Sequence, residues 1–291
     1  MLTMKYLNEV NRWGGIERVT LSDIHRDPTY WRDTLYDRKM LILRGLNGLS
    51  QEQFWDLHLV FGKPWAQEDY QTTTEMSVGA SNKVITEYGN LLTPKTIGNR
   101  EMPWHRDIPW HRDKRYPIRT LYPTVMSNGA GDTGTRFCDA DVIWKRLNQF
   151  NFKQFEKVQV KIQSWYQVVH AVKKPDTRII PLVEEHPKTK RKSMLLNSFG
   201  PHDSNLEFST ANTGTWIIDT IVDQKSYGLS LINDLHRAVC TLDNIYTHFW
   251  ELGDFVLFDN WSGIFHSRGV VNAQSGAERK FWRINLRHEW Q

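Results

Sequence analysis

Pro103-Trp104-His105-Arg106-Asp107, with Phe258-Asp259-Asn260 and then His266 far downstream, decides how the rest of this 291-residue sequence is read. Side chains two apart on an extended segment project from one face, so His105 and Asp107 point together. His266 follows an apolar segment and is placed to supply a third ligand from a second strand. Two imidazoles and one carboxylate leave three cis positions open on a metal and suit Fe(II) used for oxygen chemistry. The sequence complicates this by repeating itself: Pro109-Trp110-His111-Arg112-Asp113 is a second copy of the same pentapeptide. All four candidate ligands carry odd numbers, so face alone does not choose between the copies. Joint service is excluded, because six strand residues span about 20 Å. Pro109 also lacks the backbone donor that an uninterrupted central strand requires.

The composition is that of a globular chain, and a single domain over residues 1–291 is expected. Thirteen Trp suit both β packing and pocket walls. The apolar runs, Phe255 to Phe258 among them, are far shorter than the roughly 20 residues that cross a bilayer. No secretory signal is visible at Met1-Leu2-Thr3-Met4-Lys5, and Cys138 and Cys240 have no disulfide-framework or metal-knuckle spacing. The expectation is a cytoplasmic protein with no membrane partner. Net charge is only +4, but Arg112, Lys114, Arg115 and Arg119 form one basic run and Lys188, Lys190, Arg191 and Lys192 another. The second reads as a solvated loop. The first adjoins the proposed site and reads either as a solvated loop or as a contact for an anionic substrate. Nucleic acid is not expected, since no finger, basic zipper or aromatic–basic repeat accompanies the charge.

Elsewhere the pattern is mostly that of strands. Met40-Leu41-Ile42-Leu43-Arg44 reads as a buried strand, and Val158, Val160 and Ile162 alternate with polar partners. Ile179 to Val183, Ser193 to Asn197, Asp254 to Phe258 and Phe281 to Arg287 are further strand candidates, and Asn128-Gly129-Ala130-Gly131 is a turn. Two helices are expected. One follows the capping box Ser50-Gln51-Glu52-Gln53, and the other runs from Ser230 to Val239 with Leu231, Leu235 and Val239 as its apolar stripe. Neither G-x-G-x-x-G nor G-x-x-x-x-G-K-[ST] is present. Many strands, few helices and no clear linker indicate one β-rich domain.

From about residue 40 onward the sequence resembles the taurine dioxygenase-like (TauD/TfdA) family of Fe(II)- and 2-oxoglutarate-dependent oxygenases. Leu41-Ile42-Leu43-Arg44-Gly45, Leu49-Ser50-x-Glu52-x-Phe54 and Phe61-Gly62-Lys63-Pro64 resemble its N-terminal strand and helix. Trp104-His105-Arg106-Asp107 is similar to its metal-binding W-H-x-D, and Gly131-Asp132-Thr133 to its G-G-D-T. Pro181-Leu182-Val183, His186-Pro187-Lys188-Thr189 and Leu196-Asn197 resemble another shared block. Gly253-Asp254, Asp259-Asn260 and His266 resemble the segment with the distal ligand, followed by paired arginines four apart, here Arg279 and Arg283. In the family the G-D-T block lies a little under thirty residues beyond the metal His. Thr133 is 28 positions after His105 but 22 after His111, which favours the first copy. Ala130 departs from the first Gly of G-G-D-T, and the interval from Asp259 to His266 is one residue longer than usual.

The resemblance implies a double-stranded β-helix (jelly-roll, cupin-like) core with flanking helices, in a β-rich α+β fold. It implies Fe(II) on His105, Asp107 and His266, with 2-oxoglutarate as co-substrate and O2 as oxidant. Arg279 and Thr133 would hold the far carboxylate of 2-oxoglutarate, with Arg283 supporting it, binding an anionic substrate group or standing in a core ion pair. The implied reaction oxidises, most often hydroxylates, a small anionic or aromatic metabolite with release of succinate and CO2. Because Asp107 is present, halogenation is disfavoured. Asn99, Trp110, His111, Arg112 and His202 are the candidate substrate contacts, and a homo-oligomer is compatible with the sequence. Two alternatives stand beside this reading. A zinc-dependent hydrolase could use the same ligands, but no H-E-x-x-H is present. A non-catalytic jelly-roll binding protein would have no need of both metal ligands and Arg279.

Overall fold

Met40-Leu41-Ile42-Leu43 is apolar at every position because its strand is covered on both faces. Leu41 and Leu43 join Phe255 and Leu257 in a core shared with the helices, while Met40 and Ile42 join Val256 and Phe258 in a second core on the other side. The structure, a computed structural model, describes residues 4–65, 76–78, 85–90, 102–107, 118–127, 134–146, 153–164, 177–197, 215–269 and 278–288. The strands Met40–Arg44 and Phe255–Asp259 lie at the centre of a ten-stranded sheet. Its main path runs Lys5–Asn8, Trp13–Arg18, Met40–Arg44, Phe255–Asp259, Ile118–Met126, Arg279–Arg283, Ile85–Gly89 and Met76–Val78. Trp13–Arg18 and Met40–Arg44 pair in parallel; the pairings from Met40–Arg44 through Phe255–Asp259, Ile118–Met126 and Arg279–Arg283 are antiparallel.

A four-stranded sheet faces it, in the order Ile245–His248, Thr135–Asp139, Ile264–Arg268 and Met102–His105. Strand alternation sorts its side chains. Phe137 and Ile264 enter the core between the two sheets, while Cys138 and Phe265 point to the opposite face. There they pack with Val160, Ile162, Ile217 and the helix Ser230–Val239. This is the β-rich, double-stranded β-helix (jelly-roll) architecture that the sequence led us to expect.

Helix Gln51–Leu59 begins as its capping box dictates: the Ser50 side chain accepts from the Gln53 backbone, and the Gln53 side chain accepts from that of Ser50. Helix Ser230–Val239 has the expected bounds, but its buried stripe is Ile232, Leu235 and Val239, with Leu231 only partly covered. The run Ile179 to Val183 also differs from its expected burial. Ile180 and Leu182 are buried, whereas Ile179 is 52% exposed on the edge strand Thr177–Pro181. The segment Phe281 to Arg287 divides at Ile284 into Arg279–Arg283 and Asn285–Arg287, which pair with different stretches of Ile118–Met126. The turn expected at 128–131 lies outside the described residues.

Candidate active site

His105 ends the strand Met102–His105 and stands directly opposite His266 on Ile264–Arg268. Their ring centroids are 4.2 Å apart. Asp107, two residues on, brings its carboxylate to both rings: Oδ1 is 3.8 Å from His105 Nε2, and Oδ2 is 3.9 Å from His266 Nε2. One donor atom from each of the three residues lies within 4.8 Å of the others. His105 Nδ1 is 2.7 Å from the Pro103 carbonyl, so it carries the proton and leaves the Nε2 lone pair facing inward. Burial lowers the pKa of His105, and burial together with His105 pushes His266 down to about 3, so both rings stay neutral. Burial alone would raise Asp107, but the Arg119 guanidinium beside it outweighs burial and holds the carboxyl well below the usual range.

Arg106 and Asp107 have left the strand, and two asparagine side chains take the place of its ladder. Asn197 Oδ1 accepts from the Arg106 N–H at 3.2 Å, and its Nδ2 donates to the Arg106 carbonyl at 3.3 Å. Asn260 does the same for Asp107, accepting from its N–H at 3.3 Å and donating to its carbonyl. The Arg106 guanidinium, 1% exposed, donates to the carbonyls of Asn260, Trp261 and Met194 at 2.6–3.0 Å. Sequence reasoning missed these roles. A signal for them was present, since a charged residue between two candidate ligands must either face solvent or find buried acceptors.

Arg119 requires a correction. As part of a basic run it read as solvated or as a substrate contact, yet it is buried on Ile118–Met126. Its Nε lies 2.6 Å from Asp107 Oδ2, and its Nη1 donates to Asn285 Oδ1. Alternation could have found it: Ile118 and Thr120 point toward the helices, which turns Arg119 toward the other sheet. The run at 188–192 matches its solvated reading. Lys190 and Lys192 are exposed and pair with Glu185 and Glu156.

Arg279 lies on the sheet that faces the two histidines. It is 4% exposed, its backbone is tied to Asn90, and its buried Nη1 has no hydrogen-bond partner among the described residues. Burial lowers its pKa to about 10. Arg283, four along, sets its guanidinium carbon 5.2 Å from the centre of the Tyr88 ring, which stacks on Phe281. Arg268 lies two residues beyond His266 on the same strand, and burial and Arg279 push it down to about 9. Asn99, Trp110, His111, Arg112, Thr133 and His202 lie outside the described residues, as does Asp113.

A second histidine–carboxylate–histidine cluster, His186, Asp259 and His288, is fully buried. Its lone pairs are already engaged. Lys188 and Thr189 donate their backbone N–H groups to His186 Nδ1 at 3.1 and 3.0 Å, so the proton is on Nε2, 2.8 Å from Asp259 Oδ2. Trp261 N–H and Ser262 Oγ also donate to Asp259. This cluster fastens the turn whose carbonyls receive Arg106.

The sequence profile of the taurine catabolism dioxygenase TauD, TfdA family matches residues 8–285. The chain belongs to this family. It is therefore an Fe(II)- and 2-oxoglutarate-dependent oxygenase that uses O2. No curated protein sequence matches it. Among solved structures, the TauD/TfdA chain is similar to AAD-2 in complex with Mn(II) and N-oxalylglycine (18% identity, 99% of this chain and 98% of that one, TM-score 0.68). It is also similar to a putative alpha-ketoglutarate-dependent taurine dioxygenase from Burkholderia xenovorans (14% identity, 99% and 93% covered, TM-score 0.72). A taurine dioxygenase from the same organism matches at 13% identity over 99% and 91%, with TM-score 0.68. At these identities the likeness concerns the fold. Among the described residues no helix is long and apolar enough to cross a membrane.

Proposed function

We propose that His105, Asp107 and His266 hold the iron, and that the enzyme hydroxylates a small anionic or aromatic metabolite with release of succinate and CO2. One observation carries the ligand assignment. Three donor atoms lie within 4.8 Å of one another, with the His105 proton held on the outward nitrogen. The engaged nitrogens of His186 make the contrast, since that ring offers an ion no ready lone pair. Nitrogen and oxygen donors in this ratio fit Fe(II), and the buried, unpartnered Nη1 of Arg279 fits the far carboxylate of 2-oxoglutarate. Bound iron supplies oxygen activation coupled to decarboxylation of the co-substrate.

The chain's own residues then have separable tasks. His105 and His266 stay neutral and so remain ligands at neutral pH. Asp107 stays ionised, held by Arg119 on one oxygen and by Asn260 at its backbone. Arg279 orients the co-substrate by a charge-assisted fork, and the family resemblance adds the Thr133 hydroxyl to the same carboxylate. Arg283 is assigned to support of the co-substrate or to an anionic substrate group. Asn99, Trp110, His111, Arg112 and His202 are assigned to the substrate side, with the second Pro-Trp-His-Arg-Asp copy as pocket wall. The reading extends to one domain over residues 1–291 working in the cytoplasm, and the free thiols of Cys138 and Cys240 are compatible with that compartment.

Anaerobic addition of Fe(II) and 2-oxoglutarate tests the proposal. A weak visible charge-transfer band near about 500 nm is expected from the chelate, absent in His105→Ala and retained in His111→Ala. Loss of the band in His111→Ala with retention in His105→Ala would reverse the ligand choice. A screen of sulfonates, carboxylates and amino-acid derivatives for stimulated succinate release then identifies the substrate class.

A further inference from the structure

Arg119 is the one cation in direct contact with the proposed ligand set among the described ion pairs. It is buried, comes from the opposite sheet, and its Nε stands 2.6 Å from Asp107 Oδ2. Asn285 holds its Nη1, so the guanidinium is fixed from both sides. The Asp107 side chain keeps only 17% of its surface exposed, and a carboxylate so far withdrawn from water beside two neutral imidazoles is costly without a counter-charge.

We propose that Arg119 is a positioning residue and built-in counter-ion: it balances Asp107 when no metal is bound, and it thereby tempers the affinity of the site for a divalent ion. This rests on the assignment of His105, Asp107 and His266 as ligands. Two effects of the guanidinium oppose each other. By fixing the orientation of Asp107 it helps an ion bind, and loss of such supporting contacts typically costs 10–100-fold in affinity. By placing a full positive charge one carboxylate away from a divalent ion it opposes binding. At that range the Coulomb term exceeds the orientation term even at a protein-like dielectric. The net result is a preformed site from which the ion exchanges, in a protein whose Asp107 carboxylate is never left without a counter-charge.

The pocket has a further consequence. With Oδ2 engaged by Arg119, Asp107 presents Oδ1 toward His105. A carboxylate that offers one oxygen leaves open the positions that a chelating co-substrate and oxygen need.

The test compares wild type, Arg119→Gln and Arg119→Lys under anaerobic conditions, with Mn(II) as the probe. Chelated Arg119→Gln should melt below chelated wild type, and saturating Mn(II) should close most of that gap. Calorimetry should give Mn(II) affinity in Arg119→Gln on the order of 10-fold tighter or more, with Arg119→Lys near wild type because the charge remains. A merely structural arginine would leave the melting gap the same with and without Mn(II). Equal or weaker Mn(II) binding by folded Arg119→Gln overturns the proposal. If Arg119→Gln folds only when Mn(II) is present, the ion has replaced the missing charge, as proposed; failure to fold in both conditions overturns it. Wild type that binds no Mn(II) overturns the ligand assignment itself, so the two failures are told apart.

Discussion

His58 shows how a residue with no part in the chemistry can set the acid limit of this enzyme. It lies on helix Gln51–Leu59 with no exposed surface; Nδ1 donates to the Phe54 carbonyl and Nε2 lies 2.7 Å from Thr120 Oγ1. Burial drives its pKa from 6.5 to about 3, against the smaller opposing effect of the Phe54 hydrogen bond. The folded chain thus stays unprotonated where the unfolded chain binds a proton. Its contribution to stability is complete above pH 6.5 and is lost as pH falls toward 3. Urea unfolding of wild type and His58→Gln should therefore diverge in pH dependence. Between pH 6.5 and 5 wild type should lose about 2 kcal/mol more than the variant; parallel curves would remove His58 from the account. That His105, Asp107 and His266 come together was legible in the sequence, because a His-x-Asp pair on an extended segment shares one face. Parity does not separate them from His111, and the preference for the first copy rests on similarity to a known block. Arg119 and Arg106 were not legible, since a basic residue reads as solvated until its strand is known to be buried on both faces.

Among elements, the turn that joins Phe255–Asp259 to Ile264–Arg268 has the most to do with where His266 stands. Asp259 caps it through the Trp261 N–H, Ser262 N–H closes on the Asp259 carbonyl, and the Gly263 carbonyl accepts from Ala140. Gly263 has φ +85°, and a Cβ there would come within 2.7 Å of Asp141 Oδ1. Asp141 is already engaged by the buried Lys39 ammonium. Gly263→Ala should therefore cost about 1–2 kcal/mol from the left-handed backbone alone, read as a lower urea midpoint. A midpoint equal to that of wild type would show that the turn relaxes freely. The strands that form the core were legible for the opposite reason to this turn. Leu41-Ile42-Leu43 and Phe255 to Phe258 carry their burial in composition, and Ser50 and Gln53 carry a reciprocal hydrogen bond. Where the strand Phe281 to Arg287 breaks, and which face of 179–183 is open, depends on partners far away in sequence, and periodicity does not contain that information.

At the scale of the molecule, the proposed site is divided between two sheets. His105 and His266 sit on the four-stranded sheet, and Arg279 and Arg119 on the larger one. An ion alone engages the first group, whereas a diacid that chelates it and reaches Arg279 ties the sheets together. Ligand binding to the native state raises stability by about 2.7 kcal/mol at a concentration 100 times the dissociation constant. For a chain of this size each kcal/mol corresponds to roughly 2–4 °C. Mn(II) should thus raise the melting temperature by several degrees, and 2-oxoglutarate should add a second increment only when Mn(II) is present. Arg279→Met separates the two contributions. It should keep the Mn(II) increment, lose the 2-oxoglutarate increment, and melt no lower than wild type without ligands, because it removes a buried guanidinium with an unpartnered Nη1. Retention of the full 2-oxoglutarate increment in this variant would move the far carboxylate elsewhere, with Arg268, two residues beyond His266, the next cation to be substituted.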